Sequence, residues 1–279
     1  MTVAVACASA RPRGNARLPV VLGVLRLYGG TAALAFRRAG RAWPVAFSLV
    51  MYAIILLVSM RLVAPLGMLG GFILGLIIAA CFSSYLHLIS FAVAGSKITL
   101  ADVRQSFRAR IWDVISVLFA FWVIGFAIEH VIAPAAGDKA YIVMALLGLA
   151  MAVFFNPVPE LLYQGSSRSF HLLMESGTFV SKYGLEWFVP NILAAVALLA
   201  PLGLLHGPPG QIVLVIANLL SPNNDGMAAF NLFAAAPPYL QLPMLAFVHW
   251  LMIFRGLLFA ELTRGGSSRQ RALRRGWGR

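Results

Sequence analysis

Two histidines, His87 and His249, stand inside long apolar stretches, where an imidazole either bonds a neighbouring carbonyl or hydroxyl or passes protons. Facing each other across a helix bundle they would form a buried polar pair. Singly, each reads as a core imidazole held by a backbone carbonyl or a serine. Arg255 also falls within an apolar stretch, seven residues before Leu262, near enough for its guanidinium to snorkel to the inner interface or touch a phosphate. The carboxylates Asp113, Glu129, Glu160, Glu186 and Glu261 sit near the ends of such stretches, where water or a helix N-terminus can hold a negative charge. His87, His249, Arg255, Glu129, Glu160 and Glu186 are therefore the candidate functional polar residues. No familiar catalytic pattern accompanies them: there is no His-Glu-x-x-His, no Gly-x-Ser-x-Gly, no glycine-rich phosphate loop and no Cys or His cluster at metal spacing. No catalytic, cofactor-binding or metal-ligating residue is expected, and enzymatic activity has little support.

The elements that would position these residues are set by composition. Of 279 residues, 61% are hydrophobic and 11% charged, so most of the solvent must be lipid. A bilayer core about 30 Å thick takes about 20 apolar residues per helix, and six such stretches follow one another: 43–63, 66–94, 111–133, 141–157, 185–205 and 239–262. The net charge of +13 would suggest nucleic acid in a soluble protein, but the basic residues are sorted by side. Arg11, Arg13, Arg17, Arg26, Arg37, Arg38 and Arg41 precede the first stretch, and Lys97, Arg104, Arg108 and Arg110 lie between the second and third. Arg168 and Lys182 follow the fourth, and Arg264, Arg269, Arg271, Arg274, Arg275 and Arg279 close the chain. Arg61 and Lys139 alone fall on the other side, so the charge rule puts both termini in the cytoplasm with an even number of spans between them.

The expected organisation is a basic segment with an interfacial helix (1–42), a six-span membrane domain (43–262) and a basic cytoplasmic tail (263–279). Arginine outnumbers lysine 19 to 3, a usage typical of GC-rich bacterial genomes, which makes the inner membrane the expected location. Cys7 and Cys81 lie at different depths and form no disulfide framework.

Between the apolar stretches, Leu100, Val103, Phe107 and Ile111 recur at helical spacing with Arg104, Arg108 and Arg110 on other faces, and Thr99 with Asp102 resembles a capping box. An interfacial amphipathic helix is expected there, and another where Phe170, Leu173, Met174 and Val180 repeat the pattern. Phe36, Phe107 and Phe179 are each followed by a basic residue and then by Trp43, Trp112 or Trp187, which suggests a thrice-repeated unit of one surface helix and two spans. Gly67, Gly71 and Gly75, continued by Ala79 and Ser83, form a ladder of small residues that would let another helix approach closely. The long outer loop 206–238 is oddly apolar and reads as a packing plug or a lid over a cavity.

The densest polar and aromatic sequence is Asn156-Pro-Val-Pro-Glu-Leu-Leu-Tyr163, running on to Gly184-Leu-Glu-Trp-Phe-Val-Pro-Asn191. With the paired spans and amphipathic intervals, this patch resembles a family of uncharacterised bacterial multi-pass membrane proteins and, distantly, the membrane domain attached to some glycerophosphodiester phosphodiesterases. The resemblance implies an all-α polytopic helix bundle with interfacial helices. No phosphodiesterase catalytic segment lies within these residues, so the hydrolase activity is not implied. The expected role is non-enzymatic, with membrane lipids, anionic headgroups among them, or membrane proteins as partners, and no nucleic acid. The alternative is a small-solute or lipid transporter with a polar cavity built on the mid-span histidines.

Overall fold

Proline and glycine set most of the helix boundaries in this chain. The computed structural model describes residues 17–165, 170–202 and 237–265. Among them there is no strand. Ten α-helices follow in order: α1 (Arg17–Arg41), α2 (Trp43–Val63), α3 (Met68–Ala94), α4 (Leu100–Ala109), α5 (Ile111–Ala127), α6 (Ala133–Ala136), α7 (Ala140–Phe154), α8 (Val158–Gln164), α9 (Phe170–Leu199) and α10 (Pro238–Gly265). Among the described residues, five helical stretches are long and apolar enough to cross a membrane: Trp43–Leu66, Met68–Ala94, Ile111–Lys139, Ile142–Gln164 and Pro238–Arg264. The chain is an all-α bundle of the multi-pass membrane type. The sixth expected stretch, 185–205, falls on the C-terminal half of α9 and runs past the described residues. Arg11, Arg13, Arg168, the outer loop up to residue 236 and the tail from residue 266 also lie outside them.

Several boundaries differ from expectation for backbone reasons. The second stretch begins at Met68 rather than at residue 66, because a 3₁₀ turn over Ala64–Leu66 and Gly67 at φ 54° reverse the chain out of α2. Gly70 permits that tight turn, since a Cβ there would lie 2.1 Å from the carbonyl oxygen of Val63. The third stretch continues past Ala133: Pro134 denies the helix one N–H, and a π turn over Ile128–Ile132 absorbs the mismatch before α6. The surface helix expected from residue 170 is no separate element, for α9 runs unbroken through Pro190 to Leu199. Pro190 leaves the carbonyl of Glu186, one turn earlier, without its helical donor, and the Tyr28 hydroxyl of α1 donates to it at 2.9 Å.

The burial pattern ranks the helices. Buried residues make up 44% of the most apolar window in both α3 and α10 but 6% in the Trp43–Leu66 stretch, so α3 and α10 form the centre and α2 the periphery. The fully buried large side chains Trp187, Leu86, Leu88, Ile89, Leu161, Leu172, Ile253, Leu258 and Leu262 gather where α3, α8, α9 and α10 meet. Helix α1 packs along α10, with the Trp250 indole reaching the carbonyl of Ala32 at 3.5 Å.

Helix α4 forms as its sequence requires. Thr99 accepts from the Asp102 N–H while the Asp102 carboxylate accepts from the Thr99 N–H at 2.8 Å, a reciprocal capping box. The Thr99 hydroxyl bond and then the backbone bond hold the Asp102 carboxyl below the usual carboxylate range. The cap's contribution is thus present above that usual range and lost as pH falls through the lowered value. Val103, Ser106 and Phe107 turn inward: the Ser84 hydroxyl on α3 is bonded to both Tyr52 on α2 and Ser106 on α4.

Two expected patterns need correction. Trp43 and Trp112 open their helices and are 66% and 76% exposed, whereas Trp187 is wholly buried inside α9, so the third copy of the proposed repeat departs from the first two. The small-residue ladder also divides. Nothing among the described residues lies within 4 Å of where a Cβ of Gly67, Gly71 or Gly75 would be, while Ala79 and Ser83 are buried. A ladder with steps of four residues drifts around the helix by about 40° per step, so its two ends face different surroundings.

Candidate functional site

Helix α8 is short because Pro157 and Pro159 start it and Gly165 ends it, and that shortness carries Glu160 into the bundle. Glu160 is wholly buried, in the first turn of α8, where the helix dipole favours a negative charge. Arg255 of α10 grips it with two bonds, Nε to Oε1 at 2.7 Å and an Nη atom to Oε2 at 3.0 Å. The same Nη reaches the Asn156 carbonyl oxygen at 2.8 Å. The guanidinium lies 5.1 Å from the centroid of the Trp187 ring, close enough for a cation–π contact. Trp187 in turn donates its indole N–H to Asn156 Oδ1 at 2.8 Å, and Asn191 donates to the Trp187 carbonyl at 2.7 Å.

Two further contacts fix α8 in place. A Cβ at Gly256 would stand 2.4 Å from the Tyr163 hydroxyl and 2.6 Å from a Val93 methyl, so the close approach of α3, α8 and α10 requires glycine. There Gln164 donates to the Gly256 carbonyl at 2.8 Å. At the other side of α8, Arg110 bonds the carbonyls of Leu162 and Tyr163, satisfying helix-terminal acceptors and adding positive charge at the negative end of the dipole.

The geometry makes this a lock. Both oxygens of Glu160 are engaged by the Arg255 guanidinium, so neither is left free to face a ligand. The hydroxyls of Tyr85 and Tyr163 are buried nearby, that of Tyr163 beside the Gln164 side chain, where the polar network thins among the described residues. Groups of three or more His, Cys, Asp or Glu fit to hold a metal are absent among the described residues.

The expected polar set therefore divides. Arg255 does not snorkel outward; it turns inward onto Glu160, because a buried carboxylate of matching reach offers two bonds where a distant surface offers water at the cost of an unpaired Glu160. Glu160 is buried and paired rather than solvated at a helix end. Glu186 is half-buried, with its backbone carbonyl taken by Tyr28; burial and then the Glu186 charge push the Tyr28 phenol up to about 12. Glu129 is exposed on the π turn.

His87 sits edge-on to Phe91, ring centroids 4.9 Å apart, within electrostatic reach of Asp102 and Arg110. His249 is 3% exposed and its ring lies against the backbone of Ala39, too loosely for either nitrogen to make a hydrogen bond of ordinary geometry. The two histidines face α4 and α1 respectively and form no pair. Asn156 and Asn191 are not among the candidate residues and Trp187 reads only as part of the repeat, yet all three lie in the polar-aromatic patch and at spacings of four from Glu160 or from each other. Arg110 as a cap of α8 had no sequence signal, since its partners are 52 and 53 residues away.

The cavities lined by described residues include two that open on the surface. One, about 670 Å³, lies between α2 and α4, and the other, about 390 Å³, is an apolar cleft between α5 and α7 lined in part by Ile124, Ile128, Leu147 and Phe155. Neither is lined by His87, His249, Arg255 or Glu129. No family model, curated protein or solved structure matches this chain.

Removing one member of the lock strands the other in the core. Glu160→Met and Arg255→Met are each expected to cost about 3–5 kcal/mol of stability, and the two together much less than the sum of the single losses. Thermal or denaturant unfolding of the purified chain in detergent reads the cycle. Additive losses would show that the two charges act independently.

Proposed function

We infer that the protein is a non-enzymatic multi-pass component of a bacterial inner membrane, with six spans and both termini in the cytoplasm, that engages anionic lipid through its basic helices. The observation that carries this reading is how the charges are used. The buried pair Arg255–Glu160 is spent on holding helices together, while Arg26, Arg37 and Arg41 on α1 and Arg104 and Arg108 on α4 are exposed. Exposed arginines on amphipathic helices beside apolar spans favour an anionic leaflet by about 1 kcal/mol each. The likeness of the 156–163 and 184–191 patches to a membrane domain of glycerophosphodiester phosphodiesterases supports a membrane role without supplying a catalytic one.

The transporter alternative rests on His249, whose two unbonded ring nitrogens are unusual so deep in an apolar helix. It gains from a substrate that binds less tightly after His249→Leu, and it loses if that variant retains full stability and ligand response.

Reconstituted in nanodiscs, the full chain should unfold at a higher temperature with phosphatidylglycerol present than in phosphatidylcholine alone, and added salt should shrink the difference. Equal midpoints in the two lipids would contradict the lipid reading. For topology, a reporter inserted at residues 223–225 should score outside and one fused after Arg279 inside. The reversed pattern, with residues 223–225 inside and the C-terminus outside, would mean that the C-terminal half of α9 does not cross.

A further inference from the structure

We propose that the groove between α2 and α4 binds one anionic phospholipid, its phosphate held by Arg104 and Arg108 and an acyl chain laid over Met51, Val103 and Phe107. This deepens the lipid reading above and rests on it, naming a single site where that reading needs only a charged surface.

The groove exists because α4 is held off the span beside it by a polar strut. Ser84 ties Tyr52 and Ser106 together, and the Phe107 ring meets Tyr52 edge-on at 5.9 Å. The contact fixes α4 against α2 and α3 through one face, which leaves the neighbouring face to line the cavity of about 670 Å³. That volume falls within the range of about 300–1,000 Å³ typical of small-molecule sites.

Its lining divides by chemistry. Met51, Val103 and Phe107 supply an apolar floor, and Arg104, Gln105 and Arg108 a polar rim. Arg104 and Arg108 are one helical turn apart on the same face, with Cβ atoms about 5–6 Å apart, so both guanidinium groups can converge on a single phosphate. Neither makes an ion pair among the described residues, and Asp102, the acid nearest Arg104 in sequence, already accepts from both the backbone and the hydroxyl of Thr99. Two unpaired arginines this close repel each other, a cost that a bound anion would remove.

Position selects the occupant. Helix α3 has 27 residues, about 40 Å, which exceeds a bilayer core by about 10 Å. Ser84, where α4 is attached, lies ten residues before the end of α3, so α4 crosses near the depth where that excess begins. The apolar floor of the groove continues onto the outward face of α2, where Phe47, Val50 and Ile54 are exposed, a surface that in a membrane meets acyl chains. An apolar floor opening toward lipid and a doubly cationic rim at the interface match a molecule with an acyl chain and a phosphate. Inorganic phosphate would use the rim alone.

Native mass spectrometry of the full chain, released from phosphatidylcholine micelles titrated with phosphatidylglycerol, tests the site. The wild type is expected to retain one phosphatidylglycerol, and Arg104→Gln with Arg108→Gln to weaken that binding about thirtyfold. Met51→Trp, which fills the floor, should also weaken it, while Arg26→Gln with Arg37→Gln on α1, which lower only the general attraction to anionic lipid, should weaken it severalfold less. Unfolding midpoints in lipid-free detergent show that each variant is folded.

Equal losses from the α1 and α4 double variants would overturn the specific site while leaving general attraction to anionic lipid intact. No preference for phosphatidylglycerol over phosphatidylcholine in any form would overturn both. Displacement of the lipid by inorganic phosphate at comparable concentration would show that the rim binds the anion without the chain, and the phospholipid assignment would fall.

Discussion

A charge removed from water must be met by an opposite charge and by hydrogen bonds, and the helical assembly of this protein depends on how Glu160 and Arg255 meet that requirement. The pair joins α8 to α10, Asn156 extends it to the turn before α8, and the face of Trp187 extends it to α9. Its geometry tolerates little change. Gly256, directly after Arg255, is the position at which α3 and α8 come closest to α10, and Arg110 closes the far end of α8 from the α4–α5 junction. Burying two charges without such bonds would cost several kcal/mol per ion. With the bonds in place, a seven-residue helix becomes the point at which four longer helices are held in register.

Much of the architecture was legible because lipid imposes simple rules. The α2 and α10 spans and most of α3 follow from runs of apolar residues, and α4 follows from its periodicity and from the Thr99–Asp102 box, all of which are local. What was hidden depends on distant partners. Arg255 read as a snorkelling residue because nothing near it in the chain predicts that Glu160, 95 residues earlier, lies opposite. Gly67, Gly71 and Gly75 read as a packing stripe because spacing shows which residues are small and not which side another helix occupies. The patch 156–163 with 184–191 was correctly read as one unit, since its Asn, Glu and Trp residues at spacings of four are too polar to be left in an apolar bundle. The bonds inside that unit required the fold. The count of spans is similar: α9 begins as an amphipathic helix and becomes apolar only in its second half, so composition and length alone do not mark it as a span.

Inside and outside charges have separate employment on the proposed reading. The pair within the bundle sets the arrangement of helices, while Arg26, Arg37 and Arg41 on α1 and Arg104 and Arg108 on α4 are exposed and available to anionic groups. This division accounts for a strongly basic chain with few buried polar groups. The polar residues that a transporter would bring to one cavity are dispersed, with Glu129 on an exposed π turn, His87 beside α4 and His249 against α1. A rigid layer of this kind would hold α4 at a constant depth, which a lipid site on its outer face requires.

The measurement that bears most directly on the lock is hydrogen–deuterium exchange of the full chain in nanodiscs, comparing the wild type with Arg255→Met. If the Arg255–Glu160 pair holds the layer together, the amides of α8, the end of α3 and the segment around Trp187 should lose protection together, while those of α2 keep theirs. Loss confined to the residues flanking position 255, with α8 and α9 still protected, would contradict the account.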